Sequence, residues 1–350
     1  MSSRSVNLSL LVLMSLELLS GVFSLLVGEL DGRWLFWLHR IAGFGIIVLL
    51  GRKWRIVTRS YGKRGFTAGT ASSGLFGLLV LGALISGLLW ATTGFPGLRV
   101  PILGSLTGLG VYITLSVALI PLFLWHAIAR WPLVRGRVPD FTGRRAALRY
   151  LVLSGAGLVS WQAVEQGTAA AGLSGARRRY SGSRESGSLT GNGFPRTNWF
   201  TDPMPDITAE SWTLRIRGAV TQEWTLSFAD ISTFGTATVR ATLDCTGGWF
   251  TTQDWTGITL AGLLDIAVPD DRARSIVVHS ATGYTRRFPI EEADRLLLAT
   301  HVGGEPLSRG HGFPVRLVAP DYRGFHWVKW VVAIDVSDAP EWWQAPLPLQ

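Results

Sequence analysis

Apolar runs of helical length fill the N-terminal part of the chain. The four runs lie at 9–27, 34–50, 74–90 and 106–129. With a rise of about 1.5 Å per residue, helices of this length reach across a hydrocarbon layer about 30 Å thick. The pattern therefore predicts a bundle of four transmembrane helices.

A fifth apolar run at 150–161 is shorter, and it follows the paired residues Arg144 and Arg145. Two interpretations stay open for it. It is either a fifth span with basic flanks or a twin-arginine export signal lodged inside the chain. Both interpretations carry the residues after 172 to the same side of the membrane.

The pattern changes after residue 172. The segment 173–193 is dense in serine and glycine and holds few large apolar side chains, which predicts a flexible linker. From residue 194 onward, apolar and polar residues alternate as in half-buried strands, for example in "SWTLRIRGAV". We therefore predict a transmembrane helical domain at 1–172, a linker at 173–193, and a mixed α+β, strand-rich domain at 194–350.

Charge sets the predicted orientation. Basic residues cluster between the second and third runs and again after the fourth, while the other two loops hold almost none. The positive-inside rule then places both basic loops in the cytoplasm and the domain 194–350 on the outer, periplasmic side of the plasma membrane. Four linker arginines oppose this orientation, but the six arginines between residues 130 and 149 outnumber them. The four are Arg177, Arg178, Arg179 and Arg184.

Composition narrows the function classes. The apolar fraction of 47% and the mean hydropathy of +0.28 agree with a membrane part. A net charge of +9 often indicates a nucleic-acid partner, but here the basic residues lie at the edges of apolar runs, so membrane lipid is the expected partner and nucleic acid is not. The single cysteine excludes an intramolecular disulfide and any metal site built on a CxxC pair.

Two histidines, His39 and His126, lie inside predicted spans, where an ionisable ring indicates a functional site such as haem ligation. The segments "FWLHRIAGF" and "LFLWHAIARW" resemble haem-bearing helices of small bacterial b-type cytochromes. However, the predicted topology puts the two rings at depths that differ by about 15 Å, too far apart to clamp one iron. The alternatives are a haem b bound in another way and two hydrogen-bonded histidines near the membrane interfaces.

The single cysteine, Cys245, ends the strand-like run "ATLDC" and is followed by "TGGW", where glycines let a ligand approach closely. By itself it is a buried small side chain, a nucleophile or a metal ligand. Its surroundings resemble the molybdenum-cofactor domain of the sulfite oxidase family, which includes the catalytic subunit of bacterial methionine sulfoxide reductase. The resemblance covers about 194–343 and is most specific in "CTGGWFTTQDWTGITL" and from "HGFPVR" to "VKW".

The resemblance implies a role for each matching residue. Cys245 matches the thiolate that ligates molybdenum, His311 and Arg316 match residues that hold the phosphate of molybdopterin, and Lys329 matches another anchor of the pterin. A soft thiolate and cationic donors to a phosphate suit these roles chemically. Three more residues match segments near the cofactor, namely Arg196, Asn198 and Tyr284.

One departure from the family concerns the substrate. Sulfite and nitrate enzymes of the family follow the cysteine with an arginine-containing sequence that helps to bind an oxyanion, whereas this chain has "TGGWFTT". Oxidation of an oxyanion is therefore not expected. Arg323 and His326 are further side chains that are expected to reach the mouth of the metal site.

The resemblance implies a molybdopterin-dependent oxidoreductase that transfers an oxygen atom to or from a small-molecule substrate. Electrons would then be exchanged through the membrane with a quinone or a cytochrome. The alternative is an exported domain that binds molybdopterin without turnover and has a membrane anchor. A thiol enzyme with Cys245 as nucleophile is a third interpretation.

Overall fold

The computed structural model describes residues 1–64, 67–94, 98–100, 104–129, 142–198, 203–234 and 236–348. The chain forms two compact units. The helical unit comprises Met1–Leu25 and Asp31–Arg184, and the strand-rich unit comprises Leu26–Leu30 and Glu185–Gln350. The division falls inside the predicted linker.

Within its described residues, the helical unit contains five long helices. They are α1 at Ser3–Ser24, α2 at Arg33–Arg64, α3 at Ala68–Thr92, α4 at Gly108–Ala129 and α5 at Arg144–Ala170, with a short hairpin of β1 at Leu98–Val100 and β2 at Gly104–Leu106. Helices α1 to α4 are long and apolar enough to cross a membrane. Each of the four predicted runs coincides with one of these helices.

Helix α5 contains the fifth apolar run and extends beyond it at both ends. It packs closely on α2, because a Cβ atom added at Gly157 would lie 2.4 Å from the carbonyl oxygen of Ile41. In the part of the chain that the structure describes, α5 is not among the helices with the length and hydropathy of a membrane span.

The segment predicted as a flexible linker makes defined contacts on both sides. In the helical unit, Arg178 pairs with Glu165 at 2.8 Å, and the indole of Trp90 donates a hydrogen bond to the carbonyl of Gly182 at 2.9 Å. In the strand-rich unit, the Asn192 amide donates to the carbonyl of Pro306 at 2.9 Å. The prediction of a flexible linker considered only the apolar surface that this segment can bury. In the structure, hydrogen bonds from polar side chains also order its backbone.

The described part of the strand-rich unit contains two sheets and two short α-helices. One sheet is built on β7 at Trp249–Thr259, which lies between β6 at Ala237–Cys245 and β10 at Leu297–Val302. Its smaller strands are β3 at Arg184–Glu185, β11 at Glu305–Pro306 and β12 at Arg316–Val318. This arrangement confirms the prediction of a strand-rich mixed domain after the helices.

The second sheet has five strands in the order β5, β4, β13, β8, β9. Among the strand pairs described for this sheet, β4 with β13 is parallel and the others are antiparallel. The strands span Thr213–Gly218 for β4, Trp224–Ser227 for β5, Ser275–Ser280 for β8, Thr285–Pro289 for β9 and Val331–Ser337 for β13, and the helices are α6 at Phe228–Thr233 and α7 at Leu260–Ala267. Apolar side chains from both sheets and α7 form one continuous core.

The hairpin of β6 and β7 positions the cysteine. Its register pairs Cys245 with Trp249, so that only three residues form the turn. Gly248 in this turn has a φ angle of 94°, a conformation that costs little only for glycine. The alternating side chains of β6 direct Leu243 and Cys245 to the same face of the strand.

Candidate active site

Cys245 lies at the end of β6, and only 8% of its surface is exposed. The backbone N–H of Gly247 donates a hydrogen bond to its Sγ at 3.3 Å. Burial raises the pKa of the Cys245 thiol, and the Gly247 N–H and the charge of Arg323 oppose this effect only in part. A free thiol here is therefore mostly protonated, which disfavours a thiol nucleophile, whereas metal binding supplies the energy to deprotonate it.

A cavity of about 710 Å³, including the solvent at its mouth, opens beside Cys245. It brings together six of the seven predicted cofactor-binding residues, namely Asn198, Cys245, Tyr284, His311, Arg316 and Lys329. Arg196 is the exception, because its side chain is exposed and packs against Gly310 outside the cavity lining. Aromatic residues supply much of the remaining wall, namely Phe194, Trp249, Phe325 and Trp327.

Arg316 is a buried cation at this cavity, with 1% of its surface exposed. Its guanidinium carbon packs against two neighbouring indole rings, 5.0 Å from the centre of Trp255 and 5.7 Å from that of Trp327. Nη1 donates to the carbonyl of His311 at 3.0 Å, whereas Nε has no hydrogen-bond partner among the described residues. Burial lowers the pKa of Arg316 to about 9. A buried guanidinium without a carboxylate partner favours an anionic ligand.

His311 is buried, and both of its ring nitrogens are engaged by the protein. Nδ1 lies 2.8 Å from the Ser308 hydroxyl, and Nε2 lies 3.0 Å from the carbonyl oxygen of Phe194. Burial lowers the pKa of His311 to about 4, so that the ring is neutral at pH 7. The structure therefore places His311 at the cavity wall, where it holds the segment that begins at Phe194.

Lys329 holds the same segment from the other side. Its Nζ donates to the carbonyl of Thr197 at 3.0 Å, to Oδ1 of Asn198 at 2.7 Å and to the carbonyl of Gly310 at 2.8 Å. Lys329 and Asn198 are thus joined directly, although sequence alone suggested separate contacts with the cofactor. Tyr284 forms another part of the wall, where its hydroxyl donates to the carbonyl of Phe325.

A buried ion pair lies directly behind the cysteine. Nη1 of Arg323 is 3.0 Å from Oδ1 of Asp244, and the two side chains are 2% and 4% exposed. Their backbones form a parallel bridge, and Gly324 packs against Cys245, where an added Cβ would lie 3.1 Å from the Cα of the cysteine. Arg323 therefore holds the segment beside Cys245 and does not face the mouth of the cavity.

Other side chains near the site correct the sequence interpretation. His326 does not line the cavity and lies behind its wall, where Nε2 is 3.3 Å from Nη2 of Arg286. Sequence reasoning did not identify the pair of Asp244 and Arg323. The available signal was the aspartate just before the cysteine, because a carboxylate at the end of a buried strand requires a partner.

The two histidines predicted as possible haem ligands do not meet. Nε2 of His39 lies 2.7 Å from the hydroxyl of Tyr112, near the start of α4, whereas His126 stacks on Phe76 near the end of α4. Tyr112 and His126 are separated by about 21 Å of helical rise, in line with the different depths predicted for the two rings. The described residues contain no group of three or more histidine, cysteine or acidic side chains able to hold a metal ion.

Comparison with known proteins gives the class of the strand-rich unit. Residues 201–343 match the family described as "Oxidoreductase molybdopterin binding domain". The chain is 29% identical over 138 residues to the uncharacterized oxidoreductase YuiH of Bacillus subtilis, a match that covers 38% of this chain and 70% of that protein.

Two further relatives are larger enzymes. The chain is 32% identical over 175 residues to the nitrate reductase [NADPH] of Mycosarcoma maydis, which covers 37% of this chain and 18% of that protein. It is 29% identical over 178 residues to the mitochondrial sulfite oxidase of Rattus norvegicus, which covers 41% of this chain and 32% of that protein. The chain thus spans less than a third of either enzyme.

A crystal structure of the sulfane dehydrogenase SoxCD from Paracoccus pantotrophus is 27% identical and covers 39% of this chain and 40% of that one, with a TM-score of 0.38. The family match and the sequence relatives support the assignment of the domain without it. The matched region contains Cys245, Tyr284, His311, Arg316 and Lys329. Residues 201–343 therefore form a molybdopterin-binding oxidoreductase domain of sulfite oxidase type.

Proposed function

We propose that this chain is a membrane-anchored molybdenum-cofactor oxidoreductase that transfers an oxygen atom to or from a small substrate on the outer side of the plasma membrane. The observation that carries the proposal is the cavity that joins the Cys245 thiol to the buried guanidinium of Arg316. The Cys245 thiolate is a ligand that suits a soft metal site, and the Arg316 guanidinium is a hydrogen-bond donor to an anion.

The residues fit the cofactor chemically. Cys245 would supply the thiolate ligand, and Arg316 would donate its unpartnered Nε–H to the phosphate of the pterin. Lys329 and His311 would keep the segment from Phe194 to Asn198 closed around the cofactor. When bound, the molybdenum cofactor supplies a two-electron redox centre, while the protein orients the substrate and excludes water.

The cavity wall favours a neutral substrate over an oxyanion. Among the described lining residues, Arg316 and Lys329 are the cations. Arg316 would bind the cofactor phosphate, Lys329 is bonded to the segment 197–198, and Arg323 behind the wall is paired with Asp244. A free oxyanion finds no further cation among these residues to offset its desolvation. Trp249, Tyr284 and Phe325 provide an aromatic surface on which a small organic sulfur or nitrogen compound can pack.

The helical unit is proposed to be the membrane anchor. Besides the four apolar helices, α2 carries exposed tryptophans at two levels, Trp34 and Trp37 near its start and Trp54 further along. Trp34 and Trp54 are about 30 Å of helical rise apart, which matches the thickness of the hydrocarbon layer between two aromatic belts.

The linker arginines are compatible with the proposed orientation. Arg178 is paired with Glu165, and the guanidinium of Arg184 lies 4.6 Å above the ring of Trp90 and donates to the hydroxyl of Ser174. The six arginines between residues 130 and 149 still outnumber the four of the linker, as the positive-inside rule requires for this orientation. The strand-rich domain is thus proposed to lie on the outer side, with electrons exchanged through the membrane.

The direct test is molybdenum analysis of purified wild-type protein and of Cys245→Ser. The host must synthesise the cofactor, and each sample also receives an absorption spectrum for haem. We expect about one molybdenum per wild-type chain and turnover with redox dyes that Cys245→Ser lacks. Absence of molybdenum from the wild type would refute the proposal. Full occupancy without turnover for any dye or substrate class would favour a cofactor-binding domain without catalysis.

A further inference from the structure

A polar cluster lies inside the apolar helical unit and shares no residue with the cofactor cavity. Glu17 of α1, His39 of α2 and Tyr112 of α4 meet there, with the buried hydroxyl of Ser20 beside them. Nε2 of His39 lies 2.7 Å from the Tyr112 hydroxyl and 3.3 Å from Oε1 of Glu17. Nδ1 of His39 lies 3.2 Å from the Ser20 hydroxyl.

Three glycines make room for the cluster. A Cβ atom at Gly43 would lie 3.0 Å from Oε1 of Glu17, and one at Gly21 would lie 3.2 Å from Cε1 of His39. A Cβ atom at Gly87 would lie 3.1 Å from the ring of Tyr112. Each of the three polar side chains is therefore seated against a glycine of a neighbouring helix. The packing holds these polar groups in fixed positions. Burying polar groups in an apolar bundle costs free energy, so their presence indicates a function.

The cluster has hydrogen-bonding capacity left for a ligand. Oε2 of Glu17 is buried and has no hydrogen-bond partner among the described residues. The side chain of His39 is 20% exposed and that of Glu17 is 13% exposed, so that the cluster is reachable from the surface of the helices. All three side chains lie within about 11 Å of the end of the bundle where α1 ends and α2 and α4 begin.

We infer that this cluster binds the head group of a quinone or hydroquinone. The inference rests on the proposed function, in which a two-electron centre exchanges electrons through the membrane. A ligand that reaches a cluster within the bundle from the lipid must itself be soluble in lipid. Quinones and hydroquinones are such carriers, because a hydroquinone hydroxyl can donate to the Glu17 carboxylate and a quinone carbonyl can accept from the protonated Glu17 carboxyl.

The inference is tested by titrating the full chain, in detergent, with menadione while tryptophan fluorescence is recorded. Methylnaphthalene, which has the same rings without the oxygens, measures partition into detergent. We expect saturable binding of menadione only, weakened about tenfold in Tyr112→Phe and His39→Gln, because each change removes a contact that positions the Glu17 carboxyl for the ligand.

Two glycine variants on α2 provide matched changes. Gly43→Ala retains every polar side chain of the cluster but displaces the Glu17 carboxyl. This variant is therefore expected to weaken the binding of menadione. Gly51→Ala is expected to bind like the wild type, because an added Cβ there meets nothing within 4 Å. Equal binding by all variants, or equal uptake of methylnaphthalene, would overturn the inference.

Molybdenum content and dye-linked turnover are measured on the same samples. Full molybdenum and turnover without menadione binding would refute the quinone site alone. Absence of molybdenum would refute the proposed function, whatever the binding result. Circular dichroism at the helical bands verifies that each variant is folded.

Discussion

Two buried arginines near the cofactor cavity have different electrostatic surroundings. Arg316 is a buried cation enclosed by aromatic rings, while Arg323 is a buried cation neutralised by Asp244. The first arrangement leaves charge available for a ligand, and the second uses it to hold the backbone beside Cys245. These two arginines should therefore respond differently to substitution.

Replacing Arg316 by methionine should weaken cofactor binding while preserving the apolar packing against Trp255 and Trp327. Charge-assisted hydrogen bonds are worth up to about 3 kcal/mol, so we expect affinity to fall by roughly a hundredfold. Molybdenum and extracted pterin are measured in the purified variant. Arg240→Met is the control, because Arg240 lies on the same sheet but is exposed and paired with Asp254. Unchanged cofactor content in Arg316→Met would contradict the assigned role.

Replacing Asp244 by asparagine should destabilise the strand-rich unit by about 3–5 kcal/mol, because it leaves the charge of Arg323 buried and unpaired. The double variant Asp244→Leu with Arg323→Met should recover much of this loss. Thermal unfolding is the measurement, and the exposed pair of Arg240 and Asp254 is the control, with an expected effect below about 1 kcal/mol. If variants of the two pairs lost similar amounts of stability, burial of the ion pair would not explain the effect at Asp244.

At the scale of elements, the turn between β6 and β7 fixes the position of Cys245. Alanine at Gly248 must adopt a positive φ, which costs roughly 1 kcal/mol, and should also displace the thiol. Gly304→Ala carries the same kind of strain in another turn, where an added Cβ meets nothing within 4 Å. We expect similar losses of stability in thermal unfolding but a lower molybdenum content only for Gly248→Ala. Equal molybdenum in the two variants would show that the turn does not position the ligand.

Prediction of the elements from sequence succeeded where a single local signal dominates. The four apolar helices follow directly from runs of apolar residues, but α2 continues to Arg64 and α5 begins at Arg144, beyond those runs. Arginine and lysine favour helices as well as leucine does, so hydropathy underestimates helix length. The contacts of the predicted linker were missed because they depend on residues distant in sequence.

The candidate site shows the same difference between local signals and contacts that are distant in sequence. Local motifs predicted Cys245 and Arg316, and the structure places both at one cavity. The pairing of Asp244 with Arg323 and the enclosure of Arg316 by two indoles depend on how strands and loops meet in space. No local pattern specifies those contacts, because the partners are separated by many residues along the chain.

For the whole molecule, buried neutral histidines should make the strand-rich unit sensitive to acid. Burial lowers the pKa of His311 to about 4 and that of His326 to about 3. An unfolded histidine takes up a proton near pH 6.5, whereas these two buried rings stay neutral until the pH is much lower. The stability that the neutral rings contribute is therefore fully present above about pH 6.5 and is lost as the pH falls toward 4. Thermal unfolding between pH 7 and pH 4 tests this.

The His311→Gln variant should lose less stability on acidification than the wild type, although it is less stable at pH 7. His301→Gln is the matched control, because that side chain is only half-buried on β10. An acid response of His311→Gln that equals the response of the wild type would show that other groups determine the sensitivity.

The bonds of Lys329 have a consequence for how the cofactor enters. The segment at Thr197 and Asn198 is exposed, and Lys329 holds it by hydrogen bonds to oxygen atoms rather than by apolar packing. Water can replace such bonds at small net cost, whereas separating the two sheets would expose the core. A bulky, preassembled cofactor can thus be admitted by opening one surface segment, so loading of the domain does not require the domain to unfold.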